Sequence, residues 1–73
     1  MAKAIQNNIR RLRFERKEMT QQDLADKIGV TRQTVNAIEL NKYSPSLEVA
    51  FRIADVFGVP LDEVFQYEVT KRG

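Results

Sequence analysis

The chain has no cysteine and no histidine among its 73 residues. Without cysteine it can form neither disulfides nor thiolate metal sites, which fits a reducing cytoplasm as the expected location. Without histidine, a general base or nucleophile would have to come from carboxylates, lysines and hydroxyls, and these do not cluster in a pocket-forming pattern. We therefore expect no enzymatic activity, no cofactor and no metal site.

Long apolar runs are also missing. None approaches the roughly 20 residues that a membrane span needs, and the first residues lack the apolar stretch of a signal peptide. We expect neither a membrane segment nor a leader. The length suits a single domain, residues 1–73, whose core is small enough that dimerisation would add useful stability.

Basic residues outnumber acidic ones only in the first half of the chain. Residues 1–36 hold eight Lys/Arg and four Asp/Glu, a net charge of +4, whereas residues 37–73 hold four and six, a net charge of −2. A basic half beside an acidic half is expected of a protein that presents one face to phosphates. The alternative is chance in a short chain.

Residues 20–39 carry the pattern of two short helices joined by a tight turn. Thr20 and Asp23 have the spacing of a capping box and predict a helix that begins at about Gln21. Gly29 is expected to end this helix, because glycine adopts a positive φ without penalty.

The second helix of the pair has polar side chains crowded at its start. Thr31 is placed to cap it, and Arg32, Gln33 and Asn36 fall on the face opposite its apolar stripe. Such residues on a helix are usually solvated, but arginine pairs with guanine edges and glutamine or asparagine with adenine edges. With the short glycine-containing turn before them, they favour a helix-turn-helix at about residues 21–40 that contacts bases.

The remaining segments predict three more helices and a short sheet. A first helix is expected from Asn7 or Asn8 to about Lys17. Apolar and polar residues alternate near the end of the chain, which is typical of a strand, and we predict that Ala2–Gln6 pairs antiparallel with Gln66–Thr70. A frayed tail is the alternative.

The fourth and fifth helices follow a polar loop. Ser46 is expected to cap a helix over Leu47–Phe57, which Gly58 ends, and a short helix is expected at Leu61–Val64. The predicted core combines the apolar stripes of the first four helices: Leu12, Leu24, Ala25, Ile28, Val35, Ile38, Leu47, Ala50, Ile53, Ala54 and Phe57.

Several motifs resemble one family of regulators. IRRLR, MTQQDLADKIGVTRQT, IELNKYSPSLEVAF and IADVFGVPLDEVF together cover residues 8–65 and are similar to the XRE (Cro/C1-type) helix-turn-helix regulators, in particular their compact single-domain group. The resemblance implies an all-α, five-helix lambda-repressor-like domain with a small two-stranded antiparallel sheet from the chain ends. It also implies binding to double-stranded operator DNA as a symmetric dimer.

The resemblance further implies roles for particular residues. The residues expected to contact bases are Arg32, Gln33 and Asn36. The residues expected to contact phosphates are Gln21, Thr31 and Thr34. The loop expected to grip the DNA backbone is Lys42, Tyr43 and Ser44.

A structural ion pair between Arg13 and Glu39 is also implied, bracing the first helix against the third. In this chain the segment between Arg13 and Gln21 is one residue longer than the commonest family pattern. Asn41 stands where glycine is common, and asparagine also tolerates left-handed geometry.

An interface between two copies is predicted from the apolar content of the C-terminal third. The fourth helix and the segment after it hold more apolar side chains than one small bundle can bury, so an apolar patch should remain exposed. A two-fold homodimer could close over it at about residues 56–70. The residues expected there are Leu61, Val64, Phe65 and Tyr67.

Together these patterns predict a cytoplasmic, sequence-specific DNA-binding transcription regulator of the repressor type. It would bind a near-palindromic operator as a homodimer. Two alternatives stay open at this point: an antitoxin of a toxin–antitoxin pair, and a protein-interaction module that uses the same helices without nucleic acid.

Overall fold

A computed structural model describes residues 5–67 and places five helices and two strands within them. In chain order they are β1 (Ile5–Asn7), α1 (Ile9–Glu15), α2 (Gln21–Ile28), α3 (Arg32–Glu39), α4 (Leu47–Phe57), α5 (Leu61–Val64) and β2 (Phe65–Tyr67). The predicted class, a mostly helical domain with a small antiparallel sheet, is confirmed. Within the described range no helix has the length and apolarity to cross a membrane.

Local side-chain chemistry fixes the two helices of the central pair. Thr20 accepts from the Asp23 N–H and the Asp23 carboxylate accepts from the Thr20 N–H, which completes the predicted capping box. Gly29 ends α2 with φ 78°, in the left-handed region. Thr31 then accepts from the Thr34 N–H at the start of α3. The turn between the two helices is short because a stop and a start follow each other within three residues.

A capping side chain and a left-handed glycine also set the two ends of α4. Ser46 accepts from the Val49 N–H, and Gly58 ends the helix with φ 71°. Both predicted bounds of α4 and those of the short α5 are confirmed.

The turn between α1 and α2 departs from the prediction. The first helix ends at Glu15 instead of Lys17, because Lys17 and Glu18 both adopt positive φ, 60° and 57°. Two successive left-handed residues without glycine are rare, since the Cβ atom crowds the backbone. The Met19 N–H still donates to the Arg13 carbonyl over 3.0 Å.

The two strands pair antiparallel, with Ile5 opposite Tyr67 and Asn7 opposite Phe65. The sheet therefore includes the inner ends of the two predicted segments. Their outer parts, residues 2–4 and 68–70, lie outside the described residues.

One core joins all five helices. Its buried apolar side chains are Ile9, Leu12, Leu24, Ala25, Ile28, Val35, Ile38, Ala50, Ile53, Ala54, Phe57 and Val64. The prediction of Leu47 in this core is wrong: its side chain, in the first turn of α4, is 67% exposed. Ile9 and Val64 occupy core positions that the prediction omitted.

The left-handed pair gives a stability prediction. Replacing Glu18 by glycine should raise the free energy of unfolding by about 0.5–1 kcal/mol, because the relief of left-handed crowding exceeds the extra freedom that glycine gains in the unfolded chain. Urea denaturation measures this change. Glu18→Ala is the matched control, since it removes the same carboxylate but keeps the Cβ atom, and a gain of equal size in that variant would contradict the backbone explanation.

Candidate nucleic-acid interface

The first two turns of α3 present three polar side chains to solvent. Arg32, Gln33 and Asn36 are all exposed, and the Arg32 and Gln33 side chains make no hydrogen bond or ion pair within residues 5–67. The opposite face of α3 is anchored by Val35 and Ile38, each 1% exposed. A helix fixed by its buried face can present its exposed face at a defined angle, which direct contact with base edges requires.

Two hydroxyls lie at the start of the same helix. Thr31 and Thr34 side-chain oxygens are 3.0 Å apart, and Thr31 also accepts from the Thr34 N–H over 3.1 Å. Each hydroxyl carries one hydrogen, and only one hydrogen is used between them. One hydroxyl hydrogen at this end of α3 therefore stays available for an acceptor such as a phosphate oxygen.

Asn36, unlike Arg32 and Gln33, has a side-chain hydrogen bond to another part of the described protein. Gln21 Nε2 donates to Asn36 Oδ1 and to Glu39 Oε1, each over 3.1 Å. Both amide hydrogens of Gln21 are thus used inside the protein, and its expected role at a phosphate would require one of them to be released. The structure instead shows Gln21 orienting the Asn36 amide, a contact that the sequence analysis did not identify.

The Glu39 carboxylate also holds α1 against α3. Arg13 Nε donates to Glu39 Oε2 over 2.6 Å and a second guanidinium nitrogen donates to Oε1 over 3.1 Å, a bidentate pair. The side chains are only 13% and 8% exposed. Arg13 further donates to the Met19 carbonyl over 2.9 Å. The longer turn before α2 therefore leaves this pairing intact.

The loop after α3 follows directly on the helix that carries these exposed polar side chains. Lys42, Tyr43 and Ser44 are exposed, and their side chains make no hydrogen bond or ion pair among the residues described. The backbone is fixed nonetheless, because Asn41 takes a positive φ of 61° and the Lys42 N–H donates to the Ala37 carbonyl over 2.9 Å. The left-handed geometry expected of Asn41 is confirmed.

A second surface, which we call the apolar groove, lies between the start of α4 and the sheet. It has a volume of about 700 Å³. Its lining includes Ile5, Pro45, Leu47, Ala50, Leu61, Phe65 and Tyr67.

The apolar groove contains three of the four residues expected at a dimer interface. Tyr67 is exposed, and Leu61 and Phe65 are half-buried. The expectation for Val64 is wrong, because its side chain has no exposed area and packs into the core. Leu47, which the prediction assigned to the core, is the most exposed aliphatic side chain of the groove.

The chain matches the helix-turn-helix family model over residues 9–64. An uncharacterized HTH-type transcriptional regulator of Methanocaldococcus jannaschii is 58% identical over 50 residues, 68% of this chain and 76% of that protein. A second such regulator, from Bacillus subtilis, is 41% identical over 64 residues, 88% of this chain and 96% of its own. The chain therefore belongs to the helix-turn-helix family of transcriptional regulators.

A relative with a stated role is the cryptic phage CTXphi transcriptional repressor of Vibrio cholerae. It is 40% identical over 58 residues, which cover 80% of this chain and 51% of the repressor. The similarity thus spans about half of that protein's length.

The ion pair of Arg13 and Glu39 gives a second prediction. Arg13→Met should lower the free energy of unfolding by about 3–5 kcal/mol, because it leaves the Glu39 carboxylate almost buried with a single neutral donor. The double variant Arg13→Met, Glu39→Met should recover much of that loss. Chemical denaturation of the single and double variants measures both effects.

The control for this prediction is Arg11, on the same helix. It pairs with Glu15 over 3.1 Å, but both side chains are at least half exposed. Arg11→Met should therefore change stability by less than about 1 kcal/mol. Equal losses in the two arginine variants would argue against a special role for the buried pair.

Proposed function

We propose that this protein is a sequence-specific DNA-binding repressor that binds a near-palindromic operator as a homodimer. The observation that carries the proposal is the exposed polar face of α3, where Arg32 and Gln33 have no side-chain partner among the described residues and Asn36 is oriented by Gln21. These side chains occupy the first two turns of the second helix in a helix-turn-helix, the part that enters a major groove in this motif.

Each of the three side chains has a base edge that it can recognise. Arg32 can donate two hydrogen bonds to the O6 and N7 atoms of guanine, and Gln33 can donate to N7 and accept from N6 of adenine. Asn36 can make the same adenine contact, because Oδ1 has a second lone pair besides the one used by Gln21. Its fixed orientation reduces the conformational entropy lost on binding.

Backbone contacts would come from both ends of α3. The free hydroxyl hydrogen of Thr31 or Thr34 lies at the beginning of the helix, and Lys42, Tyr43 and Ser44 lie beyond its end. Contacts at both ends of the recognition helix would fix its register on the duplex without reading sequence.

The apolar groove would form the dimer interface. It is lined on one side by Leu47 and on the other by Leu61, Phe65 and Tyr67, and exposed apolar surface of this kind is self-complementary in a two-fold dimer. The interface would bring together α5, the two-stranded sheet and the start of α4. Two recognition helices would then lie about 34 Å apart, one turn of DNA.

The role as a repressor is supported by the phage repressor among the relatives. A regulator of this kind would act in the cytoplasm, where its operator lies. No enzymatic step is part of the proposal.

The recognition helix gives a third prediction. Arg32→Ala and Gln33→Ala should each lower operator affinity by about 1–3 kcal/mol but change affinity for scrambled duplex much less, because a bidentate base contact is worth that much discrimination. The operator would first be selected from a random DNA pool. Binding is then followed by fluorescence anisotropy on operator and scrambled duplexes.

Lys42→Ala is the control for base recognition. As a phosphate contact, it should weaken binding to both duplexes alike and reduce the log–log salt slope by about one unit per half-site. If Arg32→Ala and Gln33→Ala also lower both affinities equally, α3 is only an electrostatic surface and the proposal of base contact fails.

The apolar groove gives a fourth prediction. Leu47→Asp and Tyr67→Asp should each yield monomers at micromolar concentration, because both side chains are at least two-thirds exposed and a carboxylate there would be desolvated in a dimer. Operator affinity should fall sharply, since a single half-site binds weakly. Analytical ultracentrifugation measures the mass against 8.5 kDa for one chain.

Phe14→Asp is the matched control for the dimer. Phe14 is also an exposed large side chain, but it lies on α1 and does not line the apolar groove. This variant should stay dimeric. A wild-type protein that sediments only as a monomer would rule out the proposed interface.

A further inference from the structure

One amide side chain joins the two-stranded sheet to the end of the recognition helix. Asn7, the last residue of β1, donates from Nδ2 to the Ile38 carbonyl and to Asn41 Oδ1, each over 3.0 Å. A longer contact of 3.4 Å reaches the Glu39 carbonyl. The Ile38 carbonyl also accepts from the Asn41 N–H over 3.0 Å, so the Asn7 amide adds a side-chain donor at the end of α3 and joins that end to the sheet.

The same side chain fixes the beginning of α1. Asn7 Oδ1 accepts from the Ile9 N–H over 3.1 Å, whereas the N-cap residue Asn8 makes no side-chain cap bond. Asn7 thus closes the start of one helix and the end of another while it belongs to neither. Only a side chain that donates and accepts at once can do this, and an amide does both.

The position of Asn7 connects the two surfaces described above. Across the sheet it pairs with Phe65, which lines the apolar groove. On its other side it holds Asn41, the left-handed residue immediately before the exposed loop 42–44. The contact therefore lies between the proposed dimer surface and both segments proposed to touch DNA.

We propose that Asn7 is a positioning residue for operator recognition. It fixes the end of α3 and the loop 42–44 relative to the sheet, and in a dimer it thereby sets the distance and angle between the two recognition helices. The preferred spacing of the operator half-sites depends on it, although Asn7 itself touches no base. This inference rests on the proposed function.

The sheet is coupled rigidly to α3 only if the side-chain hydrogen bonds of Asn7 are not replaced by backbone bonds of the sheet itself. The sheet is only three residues long on each strand, and the Asn7 amide bonds are side-chain bonds that reach α3 directly from it. Loss of these bonds would remove the side-chain donor from the Ile38 carbonyl, which would keep only backbone donors, and would leave Asn41 without its side-chain contact. The last turn of α3 would then open more often, without unfolding of the core.

The test compares two neighbouring asparagines in the full chain. Asn7→Ser keeps an oxygen that can accept from the Ile9 N–H, but its side chain is too short to reach the Ile38 carbonyl. Asn8→Ser is the matched control: Asn8 donates to the Glu63 carbonyl and to Gln66 Oε1 over 3.1 and 3.3 Å, away from α3. Both changes are of the same type and leave the net charge unaltered.

The first measurement is amide hydrogen exchange in the absence of DNA. The amides of Leu40, Asn41 and Lys42 close the end of α3 through bonds of 2.9–3.0 Å. In Asn7→Ser they should exchange about fivefold faster, the factor that corresponds to one lost hydrogen bond of roughly 1 kcal/mol. In Asn8→Ser their rates should stay within about twofold of wild type, a factor well below one lost hydrogen bond.

The second measurement is selection from a random DNA pool, followed by affinity for the selected operator and for scrambled duplex. Asn7→Ser should remain dimeric by sedimentation, accept a wider range of half-site spacings and lose about tenfold in the ratio of the two affinities, within the effect expected of one recognition contact. Asn8→Ser should keep the wild-type spacing and ratio. Equal behaviour of the two variants, or a wild-type profile in Asn7→Ser, would overturn the inference.

A second variant covers the case in which Asn7→Ser does not fold. Asn41→Gly suits the left-handed φ and removes the Oδ1 acceptor, so it removes the Asn7–Asn41 bond without strain, while the bond from Asn7 to the Ile38 carbonyl stays. It should broaden the spacing preference with no loss of thermal stability, and wild-type spacing in this variant would refute the coupling of the sheet to the loop 42–44. If wild-type protein shows no operator preference, the proposed function fails, while the exchange rates measured without DNA still decide whether Asn7 couples the sheet to α3.

Discussion

The Glu39 carboxylate is the group on which the arrangement of the helix-turn-helix depends. It accepts two hydrogen bonds from Arg13 on α1 and one from Gln21 on α2, while its own residue ends α3. Three helices thus meet at one nearly buried charge. Because an unpaired charge at 8% exposure would be strongly unfavourable, the three helices have one arrangement in which that charge is satisfied. The same arrangement brings Gln21 within hydrogen-bond distance of Asn36, so the amide that donates to Glu39 also orients a side chain on the exposed face of α3.

The bounds of the helices could be predicted from the sequence because they are set by short-range chemistry. Thr20, Thr31 and Ser46 each accept from a backbone N–H three residues on, and Gly29 and Gly58 both end helices in the left-handed region. Each of these interactions lies within one turn of the residue that makes it, so its signal is local. The end of α1 was not predicted, because it depends on positive φ angles at Lys17 and Glu18, and neither lysine nor glutamate favours that conformation.

The errors concern positions whose burial is decided by neighbours far along the chain. Leu47 and Val64 have similar apolar character, yet Leu47 is two-thirds exposed and Val64 has no exposed area. The sequence pattern of α4, which is apolar on more than one side, shows that some residues must stay exposed but not which. In the candidate site, the three exposed residues of α3 followed from helical spacing. The contacts made by Gln21 and Asn7, in contrast, cross 15 and 31 residues, and no local pattern encodes them.

Because the chain is small, hydrogen bonds between side chains, and not apolar packing alone, hold its parts in position. Within residues 5–67 the buried core is twelve apolar side chains, and neither the sheet nor the loop 42–44 is held by apolar contacts alone. Directional bonds from Asn7, Arg13 and Gln21 carry the positioning that a larger protein would obtain from further packing. Hydrogen bonds weaken steeply when their distance or angle changes, whereas apolar contacts tolerate small shifts. A small domain held in this way can present the exposed face of α3 at a definite angle, while the apolar groove remains part of its exposed apolar surface.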